Sequence, residues 1–265
     1  MLKFFRKIRY DLMQKNKTGK PSMAAYRPAG RTSRYLKYAI GEIVLVVIGI
    51  LIALSINNWN ESIKSRSQEL VLLKNLKLEM EENLTLIDDY LKTKEVGIAA
   101  ADKLLTFTSP DYIEKREDSL AREFGRILGI DDYKAEIMVL NAAQSSNSLK
   151  LIRNQELKTN LAKWEQSLKR LLELVVYGNE HFSNSLIPII SDYYPLKSFP
   201  YDSGYGNFQE PSKHKRELEK MFRSLEFENS LFRVRNFDRL RAQQAKEFKE
   251  YTLELLQMLN KELNM

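Results

Sequence analysis

Apolar residues recur along the chain with several different rhythms. In residues 1–15, Leu2, Phe5, Ile8 and Leu12, with Phe4 beside them, return at helical spacing among Lys3, Arg6, Lys7 and Arg9. Steps of three and four put them on one face, which predicts a basic amphipathic helix. Such a helix suits the headgroup boundary of an anionic leaflet, and the alternative is a solvated terminus whose charges serve topology alone. Over residues 16–37 the rhythm stops, because Gly19, Pro21, Pro28 and Gly30 break any helix, and this stretch reads as a linker. Residues 38–57 are almost uniformly apolar, and Ile43 to Leu54 contains nothing more polar than Gly49. At about 1.5 Å rise per residue, roughly 20 residues cross the hydrocarbon core, so this stretch predicts a transmembrane helix. Glu42 lies near one end, and Tyr35, Tyr38 and Trp59 flank the run as interfacial aromatics do. A cleaved signal peptide with its site near Ala53-Leu54-Ser55 fits less well, given the long basic region ahead of it and the length of the apolar run.

After Trp59 a heptad pattern sets in over residues 61–97. Ile63, Leu70, Leu84, Leu91 and Ile98 occupy one position, Leu73, Met80 and Ile87 the other, with Arg66, Lys77 and Lys94 interrupting. This predicts one long helix, either packing within its own chain or forming a dimeric coiled coil. Further helices are predicted around Leu120, Phe124, Ile127 and Leu128, and from about Asp132 to Ser146 with Asp131 or Asp132 as cap. Two more carry Leu157, Leu161, Trp164, Leu168, Leu171 and Val175, then Phe237, Leu240, Phe248, Tyr251, Leu255 and Leu259. The expected fold class is all-α: one transmembrane helix followed by an extracytoplasmic, up-and-down helical bundle over residues 61–265 with a long first helix. Its main irregular segment is the loop from Asp192 to Pro211. Ten Gly and seven Pro in 265 residues agree with a long-helix protein.

Charge changes the picture only once its distribution is considered. Residues 1–38 carry eleven Lys or Arg against Asp11 alone; with Glu42 set aside, the rest holds 31 basic and 33 acidic groups. The large domain is thus not basic, and the overall +7 does not point to nucleic acid. A basic tail retained inside favours an N-terminus in the cytoplasm, with residues 61–265 on the other side of the membrane. The chain has no Cys, which excludes disulfides and thiolate chemistry.

The stretch RYLKYAIGEIVLVVIGILIALSINNWNE, Arg34 to Glu61, with the opening LKFFRKIR, resembles the N-terminal signature of a family of single-pass proteins of unknown function. That family is abundant in flavobacteria and related Gram-negative bacteria. Gly41-Glu42, Gly49 and Ile56-Asn57-Asn58-Trp59-Asn60-Glu61 carry the likeness. A weaker one runs through AAQSSNSLKLIRNQEL, Ala142 to Leu157, where Asn147 and Ser148 replace an expected Gly-containing turn. The resemblance implies location and architecture and supplies no activity.

Candidate chemistry is sparse. His181 and His214 lie in no metal-ligand spacing, and His181 beside Glu180 reads as a surface histidine rather than a base. Phosphate loops, nucleophile elbows and dinucleotide fingerprints are absent from the sequence, so no catalytic, cofactor-binding or metal residue is assigned. The doublets Asp88-Asp89 and Asp131-Asp132 point about 100° apart on a helix, which suits solvation and capping better than chelation. Glu42, Gly49 and Trp59 are the anchor's marked residues, Glu42 as an interfacial carboxylate or a helix–helix contact. Gly41, Gly49 and Ala53 share one face and permit close helix approach. Tyr193, Tyr194, Phe199, Tyr201, Tyr205 and Phe208 crowd one loop, either as a recognition surface or as pins that hold the connection to the bundle. The expected partners are the lipid bilayer and a second copy or another envelope protein. The function expected is that of a non-enzymatic sensor, scaffold or interaction module; the alternative is a membrane-tethered hydrolase with a dispersed active site.

Overall fold

The computed structural model describes residues 30–107, 117–127, 133–198 and 212–264, with the side chains of 30–38, 117, 118 and 121 left aside. Helices are α1 (Gly30–Leu105), α2 (Glu117–Ile127), α3 (Met138–Ser145), α4 (Gln155–His181), α5 (Ile187–Tyr193), α6 (Leu218–Phe222) and α7 (Leu225–Leu263), in chain order. Short 3-10 turns occupy Ser148–Leu151 and Leu196–Ser198, and one π-helical turn, Phe182–Leu186, joins α4 to α5. No strand occurs among the described residues. The chain forms two units, Met1–Ser62 and Ile63–Met265.

In the first unit, α1 begins at Gly30, inside the segment expected to be linker. Pro28 fits ahead of that start, and residues 31–37 hold nothing that would break a helix. From Ile40 to Ile56 twelve Ile, Leu and Val side chains are between 46% and 62% exposed. Among the described residues, α1 is the one helix long and apolar enough to cross a membrane. The basic amphipathic segment 1–15 and residues 16–29 lie outside the described residues.

In the second unit, α1, α4 and α7 share one packing rule. Among the buried positions one seam in α1 runs through 69, 73, 76, 80, 83, 87, 90, 94, 97, 101 and 104; in α4 through 157, 161, 164, 168, 171, 175 and 178; in α7 through 227, 231, 234, 238, 241, 245, 248, 252, 255 and 259. Alternating steps of four and three keep each seam on one side of its helix. Of the expected α1 heptads, Leu73, Met80 and Ile87 are in the seam. The other position is largely shifted by one: Glu69, Leu76, Asn83, Tyr90, Gly97 and Leu104 line the core, while Leu91 is buried as expected, Leu70, Leu84 and Ile98 flank the core half-buried and Ile63 is exposed. Polar residues at seam positions hid the register from a hydropathy reading. The α1 seam packs against α4 and α7 of the same chain, which is the intrachain alternative.

Directions follow from the pairs that join the helices. Asp88 meets Lys249 at 2.6 Å and Lys94 meets Asp238 at 3.2 Å, so α7 is antiparallel to α1. Asn154 donates to Glu262 at 2.7 Å and the Trp164 indole donates to Thr252 at 2.9 Å, so α7 is also antiparallel to α4. The chain returns between α1 and α4 through a broken leg of α2, an irregular stretch 133–137, and α3. The expected helix from Asp132 therefore starts six residues late, at Met138. The irregular stretch is stabilised from α1, where the buried Asn83 amide accepts from the Glu136 N–H at 3.0 Å and donates to its carbonyl at 2.6 Å. The cap of α3 comes from Glu79, whose two carboxylate oxygens accept from Val139 N–H at 2.5 Å and Leu140 N–H at 3.1 Å. A carboxylate there satisfies orphan donors at the positive end of a helix, a task expected of Asp131 or Asp132. Those two aspartates and Leu128 lie outside the described residues. Asn147 takes a left-handed conformation, φ 61°, which asparagine tolerates better than most residues; it fills the place where a Gly was expected.

Candidate functional site

The core of the second unit is interrupted at one level. One apolar cluster ends at Leu91, Val175 and Ala242; another begins at Ala100, Phe182 and Val234. Between them α1 contributes Lys94 and Gly97, α4 contributes Gly178 and Asn179, and α7 contributes Asp238 and Arg241. Lys94, Asp238 and Arg241 are 3%, 5% and 2% exposed. These are seam positions, so the heptad geometry that buries Leu elsewhere drives two cations and a carboxylate into the interior.

Asp238 organises the layer. One of its oxygens lies 3.2 Å from Lys94 Nζ and 3.2 Å from Arg241 Nη2. Arg241 Nη1 donates to the Asn179 side-chain oxygen at 3.3 Å. The guanidinium rests against the α4 backbone where Gly178 has no side chain, and a Cβ there would fall inside it. Gly97 brings α1 close in the same way, its missing Cβ lying 3.4 Å from the second Asp238 oxygen and 3.8 Å from the Arg126 carbonyl at the end of α2. Lys94 Nζ also stands 5.5 Å from the centre of the Tyr90 ring, a cation–π distance.

Burial dominates the electrostatics. It pushes the Lys94 ammonium down to about 8, with Arg241 adding to the effect and Asp238 opposing it. Burial pushes the Tyr90 phenol up to about 12, Asp238 reinforcing this and Arg241 opposing it. Tyr133, whose ring packs 5.2 Å from that of Tyr90, is likewise raised by burial, and its hydroxyl has no hydrogen-bond partner among the described residues. Removing either cation leaves Asp238 paired with the other, whereas removing Asp238 takes from both buried cations the carboxylate they share.

His181 closes α4 next to this layer. It is half-buried rather than at the surface, with Nδ1 3.2 Å from the Ser185 hydroxyl and its ring edge-on to Phe237 at 5.4 Å. Burial lowers its pKa, and nearby Arg233 lowers it further. The π-helical turn that follows widens the helix by one residue, a local distortion common at working sites. His214 is exposed. Among the described residues no group of three His, Asp or Glu could hold a metal ion.

The residues singled out by sequence lie elsewhere. Glu42 and Trp59 are exposed on the apolar stretch of α1, and open space surrounds Gly41 and Gly49. Of the aromatic loop, Tyr194 is buried against the second cluster and Tyr193 packs beside it half-buried. The Tyr193 carbonyl accepts from Glu217 N–H at 2.8 Å, which ties the two ends of the connection together. Phe199, Tyr201, Tyr205 and Phe208 lie outside the described residues. Asp238 and Arg241 escaped the sequence reading because isolated charges on a helix resemble a solvated face; the seam's four–three count is the signal that would have found them.

In comparison with known proteins, residues 42–123 match a family of unknown function (DUF6090). No curated protein and no solved structure matches the chain. The matched stretch takes in the apolar run of α1, its seam through Lys94 and Gly97, and the first part of α2.

Proposed function

We propose that this protein is a membrane-anchored, non-enzymatic helical module of the cell envelope, acting as a sensor, scaffold or interaction partner. The span is residues 38–57, the tail of residues 1–37 is cytoplasmic, and residues 61–265 stand on the periplasmic side of the bacterial inner membrane. The observation that supports this reading most is the row of twelve Ile, Leu and Val side chains from Ile40 to Ile56, none of them covered by protein. At roughly 2 kcal/mol per side chain, leaving them in water would cost on the order of 20 kcal/mol, more than a domain's whole stability. Lipid is the solvent that removes that cost. A basic tail on one side and a domain of balanced charge on the other match cytoplasmic retention of the N-terminus. Glu42 then sits at the cytoplasmic headgroup level and Trp59 at the opposite interface.

The test is crosslinking in intact cells followed by affinity capture of the full-length protein and mass spectrometry. A stoichiometric envelope partner, or a defined homo-oligomer, is the expected result. Recovery of the monomer alone at good expression would contradict the interaction reading and favour the tethered hydrolase, to be pursued by substrate screens on the wild type and His181→Ala.

A further inference from the structure

Three irregularities fall at the same level of the second unit. Apolar packing gives way there to the Lys94–Asp238–Arg241 layer, and the two clusters on either side share no residue. Two of the three long helices carry a glycine at that level, Gly97 in α1 and Gly178 in α4, both in contact distance of the layer's side chains. Directly beyond Gly178 the regular hydrogen-bond ladder of α4 changes to a π-helical turn, with Pro188 at the start of α5. Each feature weakens a helix or its packing. Glycine costs about 1 kcal/mol against alanine inside a helix, and a polar layer lacks the dense dispersion contacts of an aliphatic one.

We infer that the Lys94–Asp238–Arg241 layer is a hinge plane, across which the half built on the second cluster opens as a unit while the half built on the first stays closed. The first half is held by a large apolar cluster, from Leu73 to Leu91, Leu157 to Val175 and Ala242 to Leu259, whose polar seam positions Asn83 and Thr252 are hydrogen-bonded within it. The second half is assembled from shorter pieces, α2, the π-helical turn, α5 and α6, with the end of α1 and the start of α7. Its helices are short, and each short helix depends on its neighbours for stability. Opening leaves the long antiparallel contacts of the first half intact. Cooperative units of this kind, smaller than the whole domain, are how proteins move a working part without unfolding the rest.

Hydrogen exchange with mass spectrometry on the full chain in lipid nanodiscs tests the inference. Amides of residues 100–107, 117–127, 182–193 and 218–234 are expected to exchange together, about tenfold or more faster than those of 73–91, 157–175 and 242–259. One common rate for both sets would overturn the hinge. The variant Gly97→Ala places a methyl at an ordinary contact distance of 3.4 Å from Asp238, so it folds. It is expected to slow exchange of the first set of amides about fivefold and leave the second set unchanged. Equal slowing of both sets, or of neither, would count against a hinge at Gly97.

Discussion

At the residue scale, Lys94 contributes least to stability for its position. Burial depresses its pKa from 10.5 to about 8, so holding it charged at neutral pH costs on the order of 3 kcal/mol. Arg241 still neutralises Asp238 when Lys94 is gone. Lys94→Met is therefore expected to stabilise the domain at pH 7 by up to about 3 kcal/mol, measured as a shift of the urea midpoint. The sign of the pH dependence follows from the same shift. Between pH 8 and 10.5 the unfolded chain holds more protons on Lys94 than the folded one, so wild-type stability rises with pH in that window. Tyr90 acts oppositely: folded, it keeps its proton up to about 12, so its contribution falls as pH rises above 10. Urea titrations from pH 7 to 10 should show the rise in wild type and its loss in Lys94→Met; a parallel pair of curves would refute the assignment. Gly178→Ala does the reverse, forcing the buried Arg241 guanidinium off Asp238 and Asn179. It is expected to cost about 2–4 kcal/mol in the same assay. A neutral result would show that Arg241 relocates without loss.

At the element scale the helices were largely legible, and the reasons for the misses are physical. Helices α4 and α7 and the apolar stretch of α1 announce themselves through period and length, and tertiary context does not override them. Where tertiary context decides, the sequence misleads. The expected Asp132 start of α3 fails because the cap comes from Glu79, 60 residues upstream of Val139. The α1 register fails because Glu69 and Asn83 occupy core positions, satisfied by partners that only the fold supplies. Glu69 accepts from Arg66 at 2.8 Å and from the Arg153 N–H at 2.6 Å. Leu240 is 47% exposed because the α7 seam runs through Asp238 and Arg241 instead. Burial pushes the Glu79 carboxyl up while its two backbone donors pull it down. Glu79→Ala is expected to destabilise by about 1–3 kcal/mol, as it strands two N–H groups of α3. Glu79→Gln, which keeps one acceptor oxygen, should recover part of that loss. Exchange protection at Val139 and Leu140 reads the cap directly, and unchanged protection in Glu79→Ala would refute it.

At the scale of the whole molecule a helix long and apolar enough to cross a membrane is legible directly in residues 38–57. The polar layer, drawn from residues 94–97, 178–179 and 238–241, becomes visible only when three helices are superposed on one seam. The family match carries no activity with it. Sidedness of the proposed anchor is directly measurable, because the chain has no Cys. Single-cysteine variants at Ser22 in the tail and at the exposed Gln257 in α7 can be challenged in intact cells, outer membrane permeabilised, with a maleimide that does not cross the inner membrane. Labelling of Gln257→Cys without lysis, and of Ser22→Cys only after lysis, is the expected result. The reverse pattern, or release of the protein from membranes by alkaline carbonate, would contradict it.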